Sequence, residues 1–209
     1  YYSNYTFTAI APLGSKNLIQ SWNMSQNRFL FFTFGIPGED DCGVLNVSNK
    51  IYNLQKNVIS TGSCFNIIAN NITLDCSGFS INYGSGVGYG INMTHVNQTT
   101  IKNCRIFQDN STGTLNHGVY LTNTVNSSVS NSSIYTQNSS SHGIRIASSI
   151  NVNIDNTTIT TSDSGNSSYG IRLSSSSNVS IRNTNITVKA IGASGVYFIS
   201  TSNSSLYNI

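Results

Sequence analysis

Five glycines, Gly90, Gly118, Gly143, Gly170 and Gly195, are each followed at an offset of thirteen residues by an asparagine: Asn103, Asn131, Asn156, Asn183 and Asn208. The copies lie 28, 25, 27 and 25 residues apart, yet the internal offset never changes. A constant core joined by spacers of variable length is the pattern of a stacked solenoid. A period of about 25 residues fits one turn of a parallel β-helix.

The residue types between glycine and asparagine agree with that fold. After each glycine stand Ile91, Val119, Ile144, Ile171 and Val196, and two residues further Met93, Leu121, Ile146, Leu173 and Phe198. This alternation describes a short strand with one buried face. Ile101, Val129, Ile154, Ile181 and Leu206 precede the asparagines by two, and Ile106, Ile134, Ile159 and Ile186 follow by three. Each turn therefore sends four apolar side chains to one axis, and stacked turns place like on like at the ~4.8 Å strand spacing. The crossover rule makes the coil right-handed. The predicted fold is all-β: a right-handed, single-stranded parallel β-helix of about five to six coils over 42–209.

Asparagine tolerates the left-handed backbone of a sharp bend, and its amide can bond to the same amide one coil away. Asn103, Asn131, Asn156, Asn183 and Asn208 are read as one such ladder. A second column, Asn71, Gln98, Asn126, Asn151, Asn178 and Asn203, runs five residues earlier. Both are expected to be buried. In the opening coil, Cys64 takes the glycine position and Cys76 the asparagine position, with an offset of twelve. Four cysteines allow three pairings. Stacking favours Cys42–Cys64, tying an incomplete turn to the first coil, and Cys76–Cys104, because Cys104 follows the ladder partner of Cys76. Residues 1–41 fall outside the repeat and are rich in aromatics. They are read as an arm or cap, able to serve as a donated strand.

Charged residues make up only 8% of the 209 residues, and the net charge is +3. Without a Lys/Arg cluster, nucleic acid is not an expected partner. The longest apolar run, Phe29 to Ile36, is far short of the ~20 residues of a spanning helix. Fifteen Asn-x-Ser/Thr sequons, low charge and an even number of cysteines point to an extracellular or cell-surface glycoprotein. Sugar is expected on the spacer residues Asn110, Asn138 and Asn166, with Asn4, Asn23, Asn46, Asn92, Asn97 and Asn185 as further acceptors. None is expected on Asn126, Asn131, Asn156 or Asn178, taken as buried.

The copies Gly143-Ile144-Arg145-Ile146 … Asn151-Val152-Asn153-Ile154-Asp155-Asn156 and Gly170-Ile171-Arg172-Leu173 … Asn178-Val179-Ser180-Ile181-Arg182-Asn183 resemble the parallel β-helix repeats of the NosD-like and pectate-lyase-like superfamily. The stretch from Cys42 to Phe79 resembles the opening of β-helix modules in large archaeal surface proteins. The resemblance implies the fold over 42–209. It does not imply one activity, since the superfamily spans lyases, hydrolases, epimerases, adhesins and shafts.

Cleavage of a glycosidic bond needs two carboxyls about 5 Å apart, or roughly 6.5–9.5 Å apart for inversion. The seven acids, Glu39, Asp40, Asp41, Asp75, Asp109, Asp155 and Asp163, offer no pair in one column of adjacent coils. Glu39-Asp40-Asp41 reads as a solvated linker, and Asp155 and Arg182 as a surface ion pair. Arg145 and Arg172 share a position in adjacent coils, with Tyr120 below and Tyr197 above; such a face can grip sugars or carboxylates. The plainer reading is solvated surface with packed stems. Tyr89, His117, His142 and Tyr169 form a separate column before the glycines. His117 and His142 lack the further ligands of a metal site, so neither metal nor cofactor is expected.

An all-structural repeat without clustered catalytic groups favours a non-enzymatic building block: a module of a filament, surface layer or adhesive stalk. The last copy ends on open strand edges, which a neighbour's arm could cover head-to-tail. The alternative is a polysaccharide-binding or polysaccharide-degrading β-helix using the Arg/Tyr face.

Overall fold

A computed structural model of the protein describes residues 41–209, apart from 85, 87, 110–114, 163–166 and 190–191. The arm expected at 1–41 therefore lies outside the described residues, except for Asp41. Among the described residues all regular structure is strand, in three parallel sheets. The first sheet holds seven strands: Gly43–Leu45, Phe65–Ile67, Ile91–Thr94, Val119–Thr122, Ile144–Ala147, Ile171–Ser174 and Val196–Ile199. The second holds Ile51–Asn53, Thr73–Asp75, Thr100–Lys102, Val125–Ser130, Ile150–Asp155, Ser177–Arg182 and Ser205–Tyr207. The third holds Val58–Ile59, Ser80–Tyr83, Arg105–Gln108, Ser133–Thr136, Thr158–Thr161 and Asn185–Val188. Each coil contributes one strand to each sheet in turn, which is a parallel β-helix.

The register follows the glycine alignment: Ile91, Val119, Ile144, Ile171 and Val196 pair in sequence, as do Ile101, Val129, Ile154, Ile181 and Leu206. These columns, except at the last coil, are fully buried and line the axis with Ile106, Ile134 and Ile159. The glycines answer a need for space. A Cβ on Gly118 would stand 2.3 Å from Ile134 Cγ2 and 2.6 Å from the Gly143 carbonyl oxygen.

Left-handed residues mark two of the three bends of each coil, one column between the second and third sheets and two columns between the first and second. Asn103, Asn131, Asn156, Asn183 and Asn208 have φ of 56, 47, 45, 47 and 53°. Asn71, Gln98, Asn126, Asn151, Asn178 and Asn203 lie between 49 and 56°. A third left-handed column, at His95, Asn123, Ser148, Ser175 and Ser200, stands three residues before the second in the same bend and was not anticipated. Behind the asparagine corner an inward side chain satisfies the carbonyl two residues back. Ser132 Oγ donates to the Ser130 carbonyl (2.7 Å), Thr157 Oγ1 to that of Asp155 (3.0 Å) and Thr184 Oγ1 to that of Arg182 (2.7 Å). Each of these carbonyls also accepts a backbone N–H from the coil below, of Asn103, Asn131 and Asn156 in turn, so the hydroxyl uses the second lone pair.

The ladders exist, but on the outside. Asn156 Nδ2 donates to Asn131 Oδ1 (2.9 Å), Asn208 to Asn183 (3.0 Å), Asn151 to Asn126 (2.9 Å) and Asn178 to Asn151 (3.0 Å). The expectation that these amides are buried is corrected: Asn126, Asn131, Asn156 and Asn178 are exposed, because the bend turns the corner side chain to solvent. The ladder is also interrupted by acids. Asn103 donates to Asp75 (2.9 Å) and Asn183 to Asp155 (3.0 Å). Two disulfides close the first coils, Cys42–Cys64 and Cys76–Cys104, with Cα separations of 4.5 and 4.7 Å. No helix among the described residues is long and apolar enough to cross a membrane.

Candidate functional site: an aromatic and arginine ridge

The glycine corner joins the third sheet to the first. The residue before it and the residue two after it, read in the sequence as separate columns, meet there in one ridge. Tyr120, Arg145, Arg172 and Tyr197 pair in register along the solvent face of the first sheet. Beside them Tyr89, His117, His142, Tyr169 and Tyr197 stack in succession, with ring centroids 5.6, 4.7, 5.4 and 4.4 Å apart. Tyr120 closes the lower end, 5.0 Å from Tyr89 and 5.7 Å from His117. The Arg145 guanidinium lies over the Tyr120 ring, 5.2 Å from its centre. The tyrosines and arginines are half-buried or exposed, whereas His117 and His142 are buried at 0% and 2% exposure.

Backbone bonds orient the imidazoles. The His142 N–H donates to His117 Nδ1 (3.1 Å), and the Tyr169 N–H donates to His142 Nδ1 (3.2 Å). A neutral imidazole that accepts at Nδ1 carries its proton on Nε2. Burial drives the His117 pKa down to about 2, with His142, Arg145 and Arg172 adding to the effect. Burial likewise drives His142 down to about 3, with Arg172 and Arg145 adding to it. The two rings are parallel within 4° and stacked, so their Nε2 atoms do not converge on a shared ion. Among the described residues no three His, Cys, Asp or Glu side chains gather around one point.

The carboxyls lie elsewhere. Asp75 and Asp155 both project from the second sheet, three strand steps apart in register, or ~14 Å at the strand spacing. That exceeds the separation of either glycosidase pair. Burial raises the Asp75 pKa, but hydrogen bonds from Asn103 and the Ser77 N–H and the Lys102 ammonium at 3.2 Å outweigh it and hold the carboxyl below its ordinary value. The ion pair expected between Asp155 and Arg182 is corrected. Arg182 Nε donates to Ser180 Oγ (2.8 Å), while Asp155 accepts from Asn183. Glu39, Asp40 and Asp163 lie outside the described residues.

The expected glycan positions divide. Asn46, Asn97 and Asn185 are exposed and Asn92 is half-buried; Asn4, Asn23, Asn110 and Asn166 lie outside the described residues. Asn138, expected on an exposed spacer, is buried at 8% exposure, and this corrects its assignment. Its carbonyl accepts from the Ser141 N–H and from Ser168 Oγ of the next coil, which holds the spacer against the stack.

The pattern of Glycosyl hydrolases family 28 matches residues 107–190, under half of the chain and the part that carries most of the ridge. This match overturns the expectation of a non-enzymatic building block for a filament, surface layer or stalk. That expectation rested on the lack of clustered catalytic groups, and the match favours its polysaccharide-directed alternative. It gives no support to the likeness to archaeal surface modules. No curated protein matches the chain. Similar solved structures include a protein described as a glycosyl hydrolase from Parabacteroides merdae, 10% identical with a TM-score of 0.40, covering 79% of this chain and 81% of that one. Another is the Agl-KA catalytic domain, 15% identical with a TM-score of 0.40, covering 81% of this chain and 42% of that one. Such distant likenesses carry no functional weight. The three-sheet coil makes the chain a parallel β-helix protein, and the family match over 107–190 supports its likeness to the pectate-lyase-like superfamily.

Proposed function

We propose that this chain is a polysaccharide-directed β-helix that holds its sugar chain along the Tyr/Arg ridge of the first sheet. The observation that carries this reading is the continuous ring stack from Tyr89 to Tyr197, flanked by Arg145 and Arg172; of these residues, those from His117 to Arg172 lie within the segment that matches the glycoside hydrolase family. Sugar rings pack their C–H faces on such aromatic surfaces, and guanidinium groups bond hydroxyl and carboxylate oxygens in pairs. Because the coils repeat at the strand spacing, the ridge suits an extended polymer better than a single sugar. The paired disulfides and the sequon-rich composition support an extracellular setting.

Affinity electrophoresis through gels containing acidic or neutral polysaccharides tests this. The expected result is retardation by at least one polymer, lost in a Tyr120→Ala/Tyr197→Ala double variant that still folds. Equal mobility in every gel, or retardation that survives the double variant, would contradict it. New reducing ends in the same mixtures would show cleavage alongside binding.

A further inference from the structure

The two ends of the described stack differ. Leu45 and Phe198 belong to one axis-lining column of the first sheet, and Tyr52 and Leu206 to one column of the second. In the last coil Phe198 is 38% and Leu206 47% exposed, whereas in the first coil Leu45 is 0% and Tyr52 2% exposed. Leu54 and Val58 beside them are buried too. Yet Gly43–Leu45, Ile51–Asn53 and Val58–Ile59 each end their sheets, and no described strand lies below them. A stack open at both ends would wet both alike. The outward residues of the same first coil, Val44, Ile51 and Ile59, remain exposed. The cover of the lower end therefore lies across the axis and not around its outside.

Gly43 pairs with Phe65 and Phe65 with Ile91, so Cys42 stands where the later coils have glycine. From Ile81 upward, the inward isoleucines of the third sheet, Ile81, Ile106, Ile134, Ile159 and Ile186, precede the next glycine by 9, 12, 9, 11 and 9 residues. The same distances counted back from Cys42 reach 30–33, inside the apolar run 29–34. Asp41 lies 3.5 Å from Lys56, just before Val58–Ile59, so the chain enters the first coil from the side of the third sheet. We propose that residues 29–34 of the same chain add one more strand to the third sheet, beneath Val58–Ile59, with Leu30, Phe32 and Phe34 turned inward to close the lower end of the axis. Those three are all apolar, while the opposite face of the alternation carries Thr33 with Phe29 and Phe31. Gly35, Pro37 and Gly38, followed by Glu39 and Asp40, supply a turn-forming, solvated spacer up to Cys42. The added strand also covers an edge that would otherwise be open to pairing with another chain. Because the Cys42–Cys64 bridge fixes the end of the spacer to the stack, a short tether holds the strand beside its edge and favours it over a strand from a second copy.

The test is amide hydrogen exchange of the full, disulfide-bonded chain, read by mass spectrometry. Amides of 29–34 and of Val58–Ile59 should exchange at least about tenfold more slowly than in the unfolded chain, and dilution should not change their rates. A Leu30→Asp/Phe32→Asp variant should lose protection at 29–34 and at Val58–Ile59 together, while Ile144–Ala147 and Ile171–Ser174 keep theirs. A Phe29→Asp/Phe31→Asp variant, altered on the outward face, should keep the protection of all four segments. Unprotected amides at 29–34 in the unsubstituted chain would overturn the added strand, and so would protection of Val58–Ile59 that survives the Leu30→Asp/Phe32→Asp change. Protection that falls on dilution would show a strand supplied by a second copy, and would overturn it equally. Equal loss in the two variants would overturn the assignment of Leu30 and Phe32 to the inner face. The rates of the unsubstituted chain and their dilution series need no variant, so the proposal stays testable even where the inward substitutions unfold the stack.

Discussion

At the scale of single residues, space and charge decide more than residue class does. Gly118 and Gly195 occupy equivalent positions, but a Cβ on Gly195 would find nothing nearer than 3.6 Å. Gly118→Ala should therefore cost about 1–3 kcal/mol through overpacking, and Gly195→Ala far less, in urea unfolding of the two variants. Equal losses would mean that the glycines serve backbone conformation and not the approach of Ile134. The buried histidines set a pH dependence. With folded pKa values of about 2 and about 3 against an ordinary 6.5, the unfolded chain binds protons before the native chain does. Their contribution is thus complete above pH ~6.5 and declines as pH falls towards 3, by about 1.4 kcal/mol per pH unit for each histidine. Asp75, held below its ordinary value, adds a loss of the same sign at lower pH. Replacing His142 with Gln should flatten the stability curve between pH 6 and 4 by about half of the histidine slope. An unchanged slope would show that His142 is not held neutral.

At the scale of the element, the corner explains the composition. A bend needs a left-handed residue, then an inward hydroxyl to hold the carbonyl before it, then a strand residue facing water. Asn131-Ser132-Ser133 and Asn156-Thr157-Thr158 meet those three needs and are also sequons. Much of the sequon density is therefore corner chemistry, whatever sugars the chain carries. Asn156→Gly and Asn156→Ala both remove the rung to Asn131, but only alanine resists the φ of 45°. The glycine variant should be the more stable by about 1 kcal/mol in thermal or urea unfolding. The reverse order would mean that the corner is not held in the left-handed region. The third left-handed column escaped the sequence reading because its residues are His95, Asn123, Ser148, Ser175 and Ser200. No single type marks the column, although the backbone is the same in all five. The two asparagine columns were legible because one residue type served both the bend and the ladder.

At the scale of the whole molecule, the constant offset of thirteen carried the fold. It placed the strands, the axis-lining residues and the pairing of Cys76 with Cys104, each of which depends only on which residue stacks on which. The face a corner residue shows was less legible, since a left-handed bend reverses the alternation that holds along a strand. Asn131 and Asn156 accordingly lie outside. The site was half legible. Arg145, Arg172, Tyr120 and Tyr197 stood out as a column, but His117 and His142 precede the glycine. Only the folded corner brings them against the arginines. The filament expectation failed for a different reason: it took missing acid pairs as a statement about function. A ridge of stacked rings and guanidiniums over a repeating stack is instead, on the function proposed above, a surface for an extended, oxygen-bearing polymer. Hydroxyl-radical footprinting of the chain with and without its retarding polysaccharide tests that claim most directly. Tyr120 and Tyr197 should become protected together, while Tyr207 on the second sheet, 71% exposed, and Phe107 on the third, 41% exposed, stay unchanged. Protection of Tyr207 or Phe107 with Tyr120 and Tyr197 left reactive would contradict it.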